Sequence, residues 1–298
     1  MLSNPPTPVP VPSVAVLWSV PLQGSPRGLS LAREKGWLLA WDDNQWLYLL
    51  NHTGQPQGQS RQRNAITVAC CADNGSALAA VGSLGQIWWL APDLSVRWER
   101  SLPARPVTAA IDPFGQYLAV SDVRGGLRVF DCHGRPVLET QSPRPFHHLA
   151  FVPGAAYLVG SADFGLVACL TLKGDWVWRD GLVIHVGSLA VTATGDQIIC
   201  ACFTEGLHRY ALTGGKLAPF STVEPWRLAA TSFDGQRILV GGLSPRLHLL
   251  DSAGKTVRTF TLDAPPVALT IDPLGQGGYV ALPDNRILGV GLNAPGRG

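Results

Sequence analysis

Arginine dominates the charged chemistry of this chain, with 19 arginines against 4 lysines. Six of them, Arg27, Arg61, Arg63, Arg105, Arg144 and Arg227, stand just before short apolar runs. A second set, Asp42, Asp43, Asp122, Asp163, Glu205 and Asp284, follows the next runs along the chain. A guanidinium is planar and hydrogen-bonds carboxylate or phosphate in two-pronged fashion. Two chemistries therefore fit. The arginines and acids can pair with one another as a bracing belt, each exposed pair worth at most about 1 kcal/mol. Alternatively, the arginines converge on a mouth that holds an acidic peptide or a phosphorylated group.

Three histidines, His147, His148 and His185, begin neighbouring runs. Imidazoles there could ligate a metal, but no carboxylate or cysteine stands at a supporting spacing, so hydrogen-bonded structural histidines are expected and no metal is. Trp37, Trp41, Trp46, Trp88 and Trp89 crowd the first third of the chain. Rings of that size fill the wide space between packed sheets. The competing reading makes Trp88 and Trp89 part of an exposed patch that docks a partner. Catalytic motifs are lacking. Gly254-Lys255-Thr256 resembles the end of a phosphate loop, yet Leu249 stands where the upstream glycine is required. Neither a G-x-S-x-G elbow nor an H-E-x-x-H pair occurs. No cofactor is expected.

The elements that must position these residues are legible as a repeat. Between Pro106 and Gly134, three apolar runs (Val107–Ile111, Tyr117–Val120, Leu127–Phe130) are separated by glycine turns, and a fourth run begins at Pro136. Such runs read as antiparallel strands joined by hairpins. The first turn glycine recurs at Gly36, Gly75, Gly115, Gly154, Gly195, Gly235 and Gly275, in steps of 39, 40, 39, 41, 40 and 40. Twelve residues beyond each lies Tyr48, Ile87, Leu127, Leu166, Leu207, Leu247 or Ile287. A period near 40 containing four strand-sized runs predicts an all-β, seven-bladed β-propeller with four antiparallel strands per blade.

The seventh repeat runs out after three strands. Trp18-Ser-Val-Pro-Leu22 matches Trp98-Glu-Arg-Ser-Leu102 and Trp178-Arg-Asp-Gly-Leu182, the outer strands of blades 2 and 4. Residues 15–22 are therefore expected to supply the missing outer strand of blade 7, because an open ring leaves unpaired edges. The organisation expected is a proline-rich extended tail at 1–13, one propeller at 14–291 and a tail at 292–298.

Phe130-Asp131 and Leu250-Asp251 end third strands where WD40 repeats carry Trp-Asp, and on these residues the chain resembles a degenerate WD40-like propeller. Gly174-Asp-Trp-Val-Trp178 resembles the repeats of quinoprotein-type propellers. The Gly-His element that precedes each innermost WD40 strand is absent, with Arg105-Pro106 and Arg144-Pro145 in its place. The WD40 resemblance implies a non-catalytic interaction scaffold that binds protein partners, an acidic peptide among them, through its loops. The quinoprotein likeness implies a metal- or quinone-dependent enzyme working at the channel mouth.

A net charge of +2 gives no reason to expect nucleic acid. Hydrophobic content of 46% with 15% charged residues suits blades covered on both faces. Six cysteines form no C-x-x-C pair, and Cys200 and Cys202 share one strand face, where free thiols are expected. No apolar stretch has the length of a membrane span and no signal-like leader is evident, so a cytoplasmic protein is the expectation.

Overall fold

The computed structural model describes residues 13–163, 165–181, 185–203, 205–222 and 224–293. They form seven four-stranded antiparallel sheets, in each of which consecutive strands run from the centre outwards. The innermost strands are Pro26–Ala32, Ile66–Cys71, Pro106–Ile111, Phe146–Phe151, Ser188–Val191, Trp226–Thr231 and Ala268–Ile271. Each contacts its neighbour on either side, and the last contacts the first, so the ring is closed. The molecule is a seven-bladed β-propeller.

Closure occurs as the repeat demands. Ala15–Pro21 pairs antiparallel with Arg286–Gly291, placing Val20 opposite Ile287, and completes the blade begun by Ala268–Ile271 and Gly277–Leu282. The chain is held at both ends beyond this strand. Val14 N donates to Thr261 O of blade 6, and Leu292, one residue past the expected end of the propeller, is buried.

The uneven glycine steps are differences in where the glycine sits within a turn of constant length, not in the repeat. Backbone N–H groups at 72, 112, 152, 192, 232 and 272 close the first hairpins onto carbonyls at 77, 117, 157, 197, 237 and 277. Ala32 pairs with Trp37 at the equivalent place in blade 1. Each of these positions is 40 residues from the next. In blade 1 the bond of Gly36 N reaches back four residues to Ala32 O, whereas that of Gly75 reaches back three, to Ala72 O. In blade 4 the bond that Gly115 makes to Asp112 O is made by Ala155 to Val152 O, so Gly154 sits one residue early.

Seven apolar clusters fill the spaces between blades, and this explains the high hydrophobic content: both faces of each sheet lie in a core. Trp226, Tyr210 and Phe146 are fully buried, and burial of side chains this large contributes about 1.5–3 kcal/mol each. Adjacent blades are also latched at the rim. Trp18, Trp98 and Trp178 Nε1 donate to the carbonyls of His52, Cys132 and Leu212 in the next blade, each 34 residues on. Arg258 Nη1 reaches Leu292 O at the same interval. The Trp18 ring lies where a Cβ on Gly54 would be, only 2.5 Å from its atoms. Between blades 1 and 2 the arrangement is reversed: the outer strand carries Gly58, and Leu94 projects from the left-handed turn position (φ 66°) to fill the space.

Candidate functional site

The loops entering the innermost strands and the loops joining second to third strands share one face. Asp43 N donates to Ser25 O, Ser83 N to Ala65 O and Val123 N to Arg105 O, tying the two loops together in blades 1, 2 and 3. Both charged sets identified in the sequence thus border this entry face, but they do not form a belt. The acids are engaged at home. Asp42 is buried and accepts from Asn44 N, Trp46 N and the Tyr48 hydroxyl, the last at 2.7 Å. Asp122 accepts from Arg124 N, Gly126 N and Arg128 Nη1. Asp284 is held by Arg286, which also reaches Asp263 at 3.0 Å.

Of the six arginines, only Arg27 meets a carboxylate of the acid set, Asp43 at 3.7 Å. Arg144 donates to the backbone oxygen of Asp163, and Arg227 of blade 6 to Pro266 O of blade 7. Arg61 ends the outer strand of blade 1 opposite Trp46, out at the perimeter. Arg63 and Arg105 are exposed and make no ion pair among the described residues. Arg124, which the sequence reading passed over, belongs with them; it follows Asp122-Val123 in the second loop of blade 3.

A groove of about 360 Å³ runs across blades 2, 3 and 4, with Arg124 and Arg144 next in the chain to its lining residues Val123 and Pro145. Val107, Val123, Pro106 and Pro145 give it an apolar lining, with Arg105 among its walls. Leu84, on the neighbouring loop of blade 2, is 71% exposed. The groove can hold an apolar side chain while guanidinium groups face whatever flanks it.

The histidines separate. His147 and His185 converge on Asp163, Nε2 to Oδ2 at 3.5 Å and Nδ1 to Oδ1 at 2.8 Å. A carboxylate is therefore beside them, brought by the fold from a loop whose sequence spacing gave no hint of it. Each imidazole directs a nitrogen at its own carboxylate oxygen, so the three groups do not aim at a shared point. Among the described residues, no three His, Cys, Asp or Glu side chains are arranged to hold a metal ion. His148 turns away, with Nε2 3.1 Å from Val186 O on the channel wall. Some of its surface edges the channel, but the disc surrounds it, and burial depresses its pKa to about 4.

Trp88 and Trp89 are 3% and 2% exposed, inside the cores on either side of blade 2, so the docking role weighed for them is corrected to packing. One column of the repeat explains Trp88. Positions 48, 88, 128 and 248 carry Tyr48, Trp88, Arg128 and His248. Asp42 and Asp122 stand beside the first and third of these. Gly82 occupies the place of the aspartate beside Trp88, where a Cβ would come within 2.7 Å of the ring. In blade 6 the corresponding residue is Gly242, and Glu224 enters from the loop instead, 2.6 Å from His248 Nε2, while Thr259 Oγ1 bonds Nδ1. Burial raises the Glu224 carboxyl, but bonds from Ser244 and His248, aided by Arg246, outweigh it and hold the group below its ordinary range.

The central channel encloses about 370 Å³ between the seven innermost strands. Small side chains such as Ala69, Ala109, Ala190 and Ala229 line it. Among the described residues its only lining carboxylate is Asp73, which Arg33 holds through Nε and Nη2 at 2.9 and 2.6 Å. The same guanidinium lies 5.0 Å above the Phe233 ring of blade 6, so Arg33 reaches across the floor of the channel. All six cysteines are free, and burial pushes the Cys71 thiol up to about 12 and that of Cys202 to about 11, far from a reactive thiolate.

No protein-family model matches the chain, and no curated protein matches it. No helix is long and apolar enough to cross a membrane.

Proposed function

We propose that this propeller is a non-catalytic, WD40-like interaction scaffold that docks an acidic segment of a protein partner on the entry face of blades 2–4. The observation that carries the reading is the apolar groove with Arg105 in its wall and Arg124 and Arg144 next in the chain to its lining residues Val123 and Pro145, none of the three having a carboxylate side chain as partner among the described residues. Fold alone does not assign function, so the argument rests on this site. Aspartates ending third strands support the WD40-like reading: Asp131 accepts from His133 N and Arg135 N, and Asp251 from Ala253 N and Lys255 N. The channel supports a scaffold over an enzyme, since its one lining carboxylate is neutralised by Arg33. Six free thiols suit a reducing compartment such as the cytoplasm.

The test uses a fluorescent peptide with one leucine flanked by glutamates, titrated into wild type and into Arg105→Glu/Arg144→Glu. The double variant should bind at least about tenfold more weakly, and the wild-type affinity should fall with salt. A control, Arg27→Glu/Arg286→Glu, should stay within about twofold of wild type. Equal losses in both variants would reduce the effect to net charge and sink the assignment of the site. Undiminished binding by Arg105→Glu/Arg144→Glu would do the same.

A further inference from the structure

Blade 7 departs from the other six where it faces blade 1. Position 277 aligns, in steps of 40, with Trp37, Tyr117 and Tyr157, yet it is glycine. Position 289 aligns with Leu49, Trp89 and Val129 and is glycine too; position 291, opposite Gly277 across the strand pair, is a third. The Trp18 ring covers Gly289, lying where a Cβ there would stand, while position 277 lacks the ring that Trp37, Tyr117 and Tyr157 supply. Beside it lies a slot of about 510 Å³, with Trp18 packed against Tyr279 as one aromatic wall, ring centroids 5.9 Å apart and tilted by 36°. Leu17 and Leu274 line it as well, 67% and 75% exposed. The amide side chains of Gln276 and Asn293 also line it. Its one acid, Asp272, is turned inwards to accept from Leu274 N, Gln276 N and Gly277 N.

We propose that this slot is the docking site for residues 1–12 of the same chain. The segment has proline at five of its twelve positions, has apolar Leu2, Val9 and Val11, and carries no charged side chain. Proline removes the N–H groups a sheet edge would pair with and favours a polyproline II helix, whose known receptors are grooves lined with aromatic rings. Slot and segment match in chemistry: aromatic and apolar walls, side-chain amides to donate to exposed carbonyls, and no free charge on either side. Reach is sufficient. Ser13 is four residues from Leu17, about 13 Å of strand, whereas twelve residues of polyproline II extend about 37 Å. Tethering also gives the segment an effective concentration in the millimolar range, which a free peptide would have to match.

The experiment places a thiol on the segment, Val9→Cys, in the full chain with the half-buried Cys132 changed to serine, and follows its maleimide labelling. The other native cysteines are buried. Labelling of Val9→Cys should be about tenfold slower than in the same protein carrying Gly291→Leu, at every protein concentration. Gly291→Leu is chosen because a Cβ there meets nothing closer than 3.7 Å and lies beside Leu17, which lines the slot, so the larger side chain should crowd it. Leu274→Asp, at an exposed position, is a second variant that should also restore fast labelling should Gly291→Leu disturb the fold. Fast labelling in the parent protein overturns the proposal. Protection that appears only at high protein concentration overturns it as well, by making a second copy the source of the segment.

Discussion

The entry face has two unlike halves. On blades 6, 7 and 1, loop acids have side-chain partners at hand: Asp43 meets Arg27, Glu224 meets His248 and Arg246, and Asp263 and Asp284 share Arg286. On blades 2, 3 and 4 the loops carry Arg63, Arg105, Arg124 and Arg144, while their acids, Asp122 and Asp163, are already occupied by Arg128 and by two histidines. The first half is electrostatically closed. The second presents guanidinium groups with no carboxylate side chain as partner among the described residues. Charges engaged within the protein belong to its stability, and charges left over are available to a partner, so the two halves should respond differently to substitution.

The largest difference expected is in stability. His248 is buried between Glu224, Thr259 and the Trp226 ring. His248→Leu removes the side chain that meets Glu224 Oε1 at 2.6 Å, leaving the carboxylate with Ser244 and with Arg246 3.8 Å away, and should cost about 3 kcal/mol in urea unfolding. Arg105→Ser on the other half should change stability by less than about 0.5 kcal/mol. Similar losses in the two variants would remove the distinction between closed and open halves.

How much of this contrast was legible beforehand follows from which interactions are local. The strands, the sevenfold ring and the closure by Trp18-Ser-Val-Pro-Leu22 were all readable, because hydrophobic runs, turn glycines and the 40-residue period are properties of neighbouring residues. The shared entry face followed from topology. Pairing across it did not, since whether Asp122 serves Arg105 or Arg128 depends on side-chain reach within a hairpin. The column Tyr48, Trp88, Arg128, His248 was present in the sequence, but the 39- and 41-residue glycine steps hid it, and counting from strand pairs recovers it. Asp163 beside His147 and His185 is a contact between blades that no spacing encodes. Trp88 and Trp89 were the harder case. A tryptophan pair looks the same in sequence whether it docks a partner or fills a gap, and Gly82, which makes room for Trp88, was the available signal.

An intermediate effect is expected where the halves meet, in blade 4. His148 is depressed to about 4 from an ordinary 6.5, first by burial and further by His147 and His185, against the opposing pull of the Val186 carbonyl and Asp163. The unfolded chain takes up this proton as pH falls below 6.5, while the folded chain refuses it until about 4. The stability held above pH 6.5 is therefore lost across that window, by about 3 kcal/mol. Thermal melts of wild type and His148→Gln at pH 7.5 and pH 4.5 should show the wild type losing more. Glu224 is likewise held below its ordinary 4.5, so its contribution is lost only at lower pH and leaves the window to His148. Parallel slopes for the two proteins would show that some other group governs it.

The smallest effect tests the comparison on equal footing, with one exposed arginine from each half. Arg27 and Asp43 are well exposed at 60% and 38%, and their contact is 3.7 Å. Such a pair is screened by water and contributes little, so Arg27→Ser should cost no more than about 0.5 kcal/mol, and less in high salt. Arg63→Ser removes a charge with no ion pair among the described residues and sits near other arginines. Relief of that repulsion should leave stability unchanged or raise it by a few tenths of a kcal/mol, again more visibly at low salt. The two variants should thus move in opposite directions as salt is lowered. A fall in stability for Arg63→Ser at low salt would mean that the arginines of blades 2–4 are already held by the fold, and the groove they border would lose its claim to a partner.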